Sequence, residues 1–166
     1  MHVLFSVYLN RGFLKVSGQG VVRETKQGES SSQYVCDKVR TYMGTQHTIL
    51  VVEDNDFVRM QIVTFLKEAG YATLEATDGD GALDIMNKDV ALAVVDVRME
   101  PMGGFEFITL MQLQGYKIPV VLVTGDQDNT TLERAGKLGV ATVLMKPIQK
   151  DRLVSMVGRL LERGSR

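Results

Sequence analysis

The feature that most constrains the fold is a regular alternation of apolar runs and amphipathic stretches, which begins at Thr48. Apolar runs typical of buried strands lie at 48–53, 71–77, 90–96, 118–124 and 140–145. Stretches with helical spacing of apolar residues follow each of them, at 56–69, 79–88, 104–114, 128–138 and 150–162. Five strands alternating with five helices predict an α/β fold, a doubly wound parallel sheet covered by helices on both faces.

The first and last helical stretches show the pattern most clearly. In the first, one apolar stripe contains Val58, Ile62, Phe65, Leu66 and Ala69. In the last, the stripe contains Leu153, Met156, Val157, Leu160 and Leu161. Asn55 or Asp56 is suited to cap the start of the first helix, and Gly70 is suited to end it.

The composition excludes several classes of protein. With 166 residues, 45% of them hydrophobic, and a net charge of −1, the chain can form one domain with a substantial core. The balanced charge does not favour binding to nucleic acid or a membrane surface, and the apolar runs are too short to span a bilayer. A single cysteine, Cys36, excludes an internal disulfide framework and fits a reducing cytoplasm.

Residues 1–46 differ from the rest of the chain. Their glycines, the Ser30–Ser32 tract and the lack of a sustained period predict an irregular N-terminal extension, flexible from Val16 to Gln33. Alternatively, Met43 is the natural start of the protein. The regular domain is expected over 47–163, followed by a tail at 164–166, with no output domain.

Polar residues follow four of the five predicted strands. Glu53 and Asp54 follow the first, Asp96 ends the third, Thr124 ends the fourth, and Lys146-Pro147 follows the fifth. In a doubly wound sheet of strand order 2-1-3-4-5, these strand ends line one edge. Carboxylates that converge there repel one another, and a divalent cation would relieve that repulsion.

An acidic cluster, a hydroxyl and an ammonium group suit the transfer of a phosphoryl group onto a carboxylate. Mg²⁺ on Asp54 and Asp96 would neutralise the phosphoryl oxygens, while Lys146 and Thr124 would contact others. Each residue also has a simpler explanation. The acidic pair could cap a helix, Thr124 could bond backbone, and Lys146 could be solvated or form a plain salt bridge with Asp96.

These four pieces, in this order, resemble the receiver domain of two-component response regulators, which has a flavodoxin-like fold. The resemblance implies that Asp96 is the phosphoacceptor and that Thr124 and Lys146 assist catalysis. It also implies that Asp54, Asp96 and the backbone carbonyl of Arg98 bind Mg²⁺, that Glu53 acts through a metal-bound water, and that the Lys146–Pro147 bond is cis.

Three positions depart from the family pattern. Glu100 replaces the proline that commonly follows the loop methionine, and Gly125 replaces the alanine usual after the threonine. Val143 replaces the aromatic residue that often couples phosphorylation to the outer surface. Phosphoryl transfer does not need that aromatic ring. The usual coupling of phosphorylation to the outer surface does need it.

The sequence therefore predicts a phosphoacceptor switch, which is not a turnover enzyme. The resemblance implies that its partners are a histidine kinase or histidine phosphotransferase and a separate effector, and it would be a monomer or weak dimer. Phe57 and Met60, off the core stripe, are either ordinary scattered exposed apolar residues or, as the resemblance implies, a patch that docks the phosphodonor protein. The alternatives are a degenerate receiver that only binds partners and a haloacid-dehalogenase-type phosphatase, which would need an aspartate where Arg98 stands.

Overall fold

The structure, a computed structural model, describes residues 5–9, 12–17, 20–23, 47–125 and 128–164, the strands before residue 47 by their backbone alone. The chain divides into two units, residues 1–44 and residues 45–166. Cys36 and Met43 lie outside the described residues.

The first unit contains a three-stranded antiparallel sheet. Its strands are β1 (Phe5–Leu9), β2 (Gly12–Ser17) and β3 (Gly20–Arg23), with β2 in the centre. The irregular extension predicted for residues 1–46 is therefore wrong for these strands. Their Val, Leu, Phe and Tyr residues favour extended backbone, and Gly12 and Gly20, which suggested irregular chain, stand at strand starts. The flexible stretch predicted up to Gln33 lies, beyond Arg23, outside the described residues.

The second unit contains a five-stranded parallel sheet. The strands are β4 (Thr48–Val52), β5 (Ala72–Ala76), β6 (Val90–Asp96), β7 (Val120–Thr124) and β8 (Thr142–Met145). Their order across the sheet is β5-β4-β6-β7-β8. This order is the predicted 2-1-3-4-5 arrangement, so the predicted fold class is confirmed.

Among the described residues of this unit, five helices cover the sheet. They are α1 (Asp56–Glu68), α2 (Gly79–Ile85), α3 (Gly104–Leu113), α4 (Asn129–Lys137) and α5 (Lys150–Gly164). Ile49 and Val51 pack with buried residues of α1 and α5, whereas Leu50 and Val52 pack with those of α2, α3 and α4. The central strands are thus buried on both faces. Within the described part of the chain, no helix has the length and apolarity needed to cross a membrane.

The helix ends largely follow the prediction. Asn55 caps α1, because its Oδ1 accepts hydrogen bonds from the backbone N–H groups of Phe57 and Val58 at 3.1 and 3.2 Å. Gly70 follows the helix with a positive φ of 90°. Ala69, predicted within the apolar stripe, is instead the exposed C-cap residue.

The last helix also runs slightly further than predicted. α5 includes Gly164, so the tail predicted at 164–166 is wrong at that residue, and residues 165 and 166 lie outside the described chain. Leu153, Val157 and Leu161 of its stripe are buried, as predicted.

Candidate functional site

The carboxyl ends of four neighbouring strands place the predicted site residues at one edge of the sheet. Glu53 and Asp54 follow β4, Asp96 ends β6, Thr124 ends β7, and Lys146 follows β8. Because β4, β6, β7 and β8 are adjacent and parallel, these ends lie side by side.

Three carboxylates form a compact acidic cluster at this edge. Glu53, Asp54 and Asp96 each present one oxygen, and these oxygens lie within 4.8 Å of one another. Glu53 is 0% exposed and Asp96 is 5% exposed, whereas Asp54 is open to solvent. The cluster is therefore buried on one side and accessible from the side of Asp54.

Lys146 bridges two members of the cluster. Its Nζ donates to Glu53 Oε1 at 3.0 Å, and it lies 2.8 Å from Glu53 Oε2 and 3.1 Å from Asp96 Oδ1. The simpler explanation, a salt bridge to Asp96 alone, is therefore incomplete. The ammonium group partly neutralises the repulsion between the two buried carboxylates.

The ionisation of this pair reflects its burial. Loss of hydration raises the pKa of Glu53, and the negative charge of Asp96 adds to this, although the hydrogen bond from Lys146 opposes it. For Lys146, burial alone disfavours the ammonium form. The hydrogen bond to Glu53 and the charge of Asp96 outweigh burial, so its pKa is raised and it stays positively charged at neutral pH.

The donor set suits a hard divalent cation. Magnesium prefers one or two carboxylates together with waters and phosphate oxygens. Glu53 Oε2 is buried and accepts no hydrogen bond of standard geometry, so this oxygen, which lies 2.8 Å from Lys146 Nζ, can still accept a hydrogen bond from a water bound to the ion. The three carboxylates therefore fit the predicted magnesium ion. Ligation by the backbone carbonyl of Arg98 stays a prediction.

The backbone around Asp96 and Thr124 is held by hydrogen bonds. The N–H of Arg98 donates to Asp96 Oδ2 at 3.3 Å. The N–H of Lys146 donates to the carbonyl oxygen of Thr124 at 2.8 Å, which ties the ends of β7 and β8 together. Thr124 is buried, and a contact of its hydroxyl with a phosphoryl oxygen stays a prediction.

The loop after β6 packs tightly against the phosphoacceptor candidate. A Cβ at Gly104 would lie only 2.1 Å from the carbonyl oxygen of Asp96, so this close approach requires glycine. Two X–Pro bonds are cis, Lys146–Pro147, as the resemblance implied, and Glu100–Pro101.

Two residues near the site were missed from the sequence. Gly104 was not predicted to belong to the site, because no sequence signal reports the approach of its backbone to Asp96. Arg59 was not singled out, although its guanidinium donates to the carbonyl oxygen of Glu53 at 2.9 Å. Its spacing of three residues from Asp56, typical of a helical ion pair, was the available signal.

Comparison with known proteins identifies the family. Residues 49–158 match the response regulator receiver domain. The chain belongs to this family. Receiver domains are signalling switches that bind Mg²⁺ at an acidic pocket and interact with histidine kinases and downstream effectors, and the cluster of this receiver could hold such an ion.

Several relatives of this receiver are longer proteins. It is 31% identical over 116 residues to the transcriptional regulatory protein FixJ of Bradyrhizobium diazoefficiens, covering 69% of this chain and 57% of FixJ. It is 30% identical over 116 residues to the CAI-1 autoinducer sensor kinase/phosphatase CqsS of Vibrio cholerae, covering 68% of this chain and 17% of CqsS. The match therefore spans less than two thirds of either relative.

A solved receiver structure shows the same fold. The chemotaxis protein CheY4 of Vibrio cholerae superposes with a TM-score of 0.64 at 27% identity, covering 69% of this chain and 98% of CheY4. The similarity in structure thus extends over nearly the whole of that protein.

Proposed function

We propose that this receiver accepts a phosphoryl group on Asp96 from a phosphohistidine protein, either a histidine kinase or a histidine phosphotransferase, with Mg²⁺ bound. The observation that carries the proposal is the position of Asp96. Its carboxylate lies in the acidic cluster with Glu53 and Asp54, and 3.1 Å from the ammonium group of Lys146.

Each residue of the site would have a separate role in the phosphoryl transfer. An oxygen of Asp96 attacks the phosphorus, the P–N bond to the donor imidazole breaks, and its electron pair stays on the ring nitrogen, which takes up a proton from solvent. Lys146 stabilises charge on a phosphoryl oxygen, and the hydroxyl of Thr124 donates to another.

The magnesium ion would be held by Asp54, Asp96 and the Arg98 carbonyl, with Glu53 acting through a water. When bound, it supplies positive charge that neutralises the phosphoryl oxygens. Asp54 would be the ligand on the open side of the cluster.

Phosphorylation would then bias a two-state equilibrium at the face formed by α4, β8 and α5. Val143, half-buried on β8, stands where the family often has an aromatic residue, so the signal would reach that face without the ring. A separate effector would read it. We place the protein in the cytoplasm, as a monomer or weak dimer that is not a turnover enzyme.

The proposal is tested by incubating the protein with a small phosphodonor, with and without Mg²⁺, and measuring its intact mass. The wild-type protein should gain one phosphoryl group only with Mg²⁺, and Asp96→Asn should gain none. The matched control, Asp84→Asn, alters an exposed aspartate on α2 and should behave as wild type. No mass change would favour a module that only binds partners. Sustained release of phosphate from many phosphoesters would favour a phosphatase.

A further inference from the structure

Arg59 occupies an unusual position for a charged residue on the first turns of α1. Its side chain is only 16% exposed, and it forms an ion pair with Asp56 in the same helix. Its Nη1 also donates to the backbone carbonyl oxygen of Glu53 at 2.9 Å. One guanidinium therefore joins the helix start to the acidic loop that precedes it.

The bonded carbonyl belongs to the peptide group that joins Glu53 to Asp54. Because a peptide group is planar, fixing this oxygen also fixes the orientation of the N–H of Asp54. Asp54 itself is exposed, whereas its neighbours are anchored. The N–H of Glu53 donates to the carbonyl of Ala76 at 3.1 Å, and Asn55 caps α1. The hydrogen bond from Arg59 to the carbonyl oxygen of Glu53 anchors the peptide group that lies between these two residues.

We propose that Arg59 is a positioning residue for the metal site, holding the Glu53–Asp54 peptide so that the exposed carboxylate of Asp54 faces the two buried carboxylates. The inference rests on the proposed magnesium site. Arg59 would touch neither the ion nor the phosphoryl group, and its effect would pass through the backbone, as partners of metal ligands commonly act.

Charge and positioning predict opposite effects when Arg59 is removed. Losing a positive charge near an acidic cluster should, by Coulomb's law alone, strengthen the binding of a cation. Losing the anchor of the Asp54 peptide should weaken it. The sign of the change therefore separates the two roles.

Lys67 provides a matched control on the same helix. Its Nζ lies 3.6 Å from Glu75 Oε1, and the Nε of Arg59 lies 3.8 Å from Glu75 Oε2, so the two residues share an acidic neighbour. Lys67 is 59% exposed and lies at the far end of α1, away from the acidic loop. Lys67→Met thus removes the same charge without altering that loop.

The test is calorimetric titration of the full chain with Mg²⁺ at fixed ionic strength, for wild type, Arg59→Met, Arg59→Lys and Lys67→Met. We expect Arg59→Met to bind about tenfold more weakly and Lys67→Met to bind as wild type or slightly more tightly. Arg59→Lys keeps the charge but loses the planar fork that reaches both Glu53 and Asp56, so it should also bind more weakly.

Urea unfolding in EDTA separates positioning from a loss of folding. A folded Arg59→Met that binds Mg²⁺ as tightly as Lys67→Met would overturn the role of Arg59. Should Arg59→Met fail to fold, Arg59→Lys decides the question, and wild-type affinity in that variant would overturn it. Absence of Mg²⁺ binding by the wild-type protein itself would overturn the proposed magnesium site and, with it, this inference.

Discussion

At the scale of single residues, one ammonium group in the site offsets the negative charge of two carboxylates. Lys146 contacts both Glu53 and Asp96, two carboxylates that are almost fully buried. Without a cation, burial and mutual repulsion favour protonation of Glu53, whose pKa lies above its ordinary value of 4.5. The stability of the metal-free protein should therefore depend on pH through this group.

We expect Glu53→Gln to remove one component of that pH dependence. The folded protein holds a proton on Glu53 more firmly than the unfolded chain does, so this group stabilises the fold below pH 4.5, and the contribution is lost as pH rises through the higher folded-state pKa. Urea unfolding in EDTA, at pH values from neutral down to about 4.5, measures it. The stability of wild type relative to Glu53→Gln should increase as pH falls, and a decrease would contradict the assignment.

Gly104 is a second residue whose role is set by its surroundings. Ala at this position would place a methyl group 2.1 Å from the backbone oxygen of Asp96, so β6 or α3 must shift. We expect Gly104→Ala to lower the free energy of unfolding by about 2–3 kcal/mol in urea unfolding.

Gly136→Ala is the control for Gly104→Ala. A Cβ at Gly136, in α4, would meet no atom within 4 Å apart from the neighbouring backbone of its own helix, so alanine there should be neutral or stabilise by up to about 1 kcal/mol. Equal losses in the two variants would show that the close contact with Asp96 is not the cause.

The residues brought together at this edge could be predicted from the sequence, but not all of their contacts could. Asp96, Thr124 and Lys146 could be predicted because each stands at the end of an apolar run, and parallel strands bring such ends together. The additional contact of Lys146 with Glu53 could not, because it depends on side-chain geometry between β4 and β8. The close approach of Gly104 to Asp96 could not be predicted either, because it is made by backbone atoms.

At the scale of elements, the strands and helices that could be predicted were those with a regular repeat of apolar residues. The strands and helices after Thr48 were found to within a few residues because their apolar residues repeat with the period of a buried strand or an amphipathic helix. The strands Phe5–Leu9, Gly12–Ser17 and Gly20–Arg23 were missed. They are short, only two residues separate each from the next, and the glycines among them outweighed their β-branched and aromatic content.

The helices α3 and α4 are joined by a contact that the sequence did not reveal. The guanidinium of Arg134 lies 4.5 Å from the ring centroid of Phe105. Because Arg134 is exposed to solvent, although Phe105 is buried, this cation–π contact should contribute about 0.5–1 kcal/mol. We expect Arg134→Gln to reduce the free energy of unfolding by this amount and to speed hydrogen exchange in α4.

Lys137→Gln is the matched control for Arg134→Gln. It removes the same charge from the same helix but leaves Phe105 and its partner in place. If both variants accelerate exchange in α4 equally, the loss of charge, and not the contact with Phe105, would account for the effect.

At the scale of the whole receiver unit, helix α1 exposes two large apolar side chains close to the acidic pair in the chain. Phe57 and Met60, on α1, are 81% and 58% exposed, and α1 begins directly after the acidic pair. The structure thus agrees with the prediction that these side chains lie off the core. Docking of the phosphodonor protein on this patch remains a proposal.

We expect Phe57→Ser combined with Met60→Gln to slow phosphoryl transfer from a phosphohistidine protein while leaving the rate with a small phosphodonor unchanged. The reason is that only a protein donor needs an apolar contact surface. Leu113→Gln, a change of similarly exposed apolar surface on α3, is the control. Equal slowing with both donors would place the defect in the chemistry and not in docking.

The central claim is that Asp96 itself carries the phosphoryl group. Chemical reduction of an acyl phosphate by borohydride converts the aspartate to homoserine, which peptide mass spectrometry locates. After incubation with phosphodonor and Mg²⁺, the account predicts homoserine at position 96 and none when Mg²⁺ is omitted. Homoserine at another aspartate, or its absence from position 96 in protein that has gained the phosphoryl mass, would contradict it.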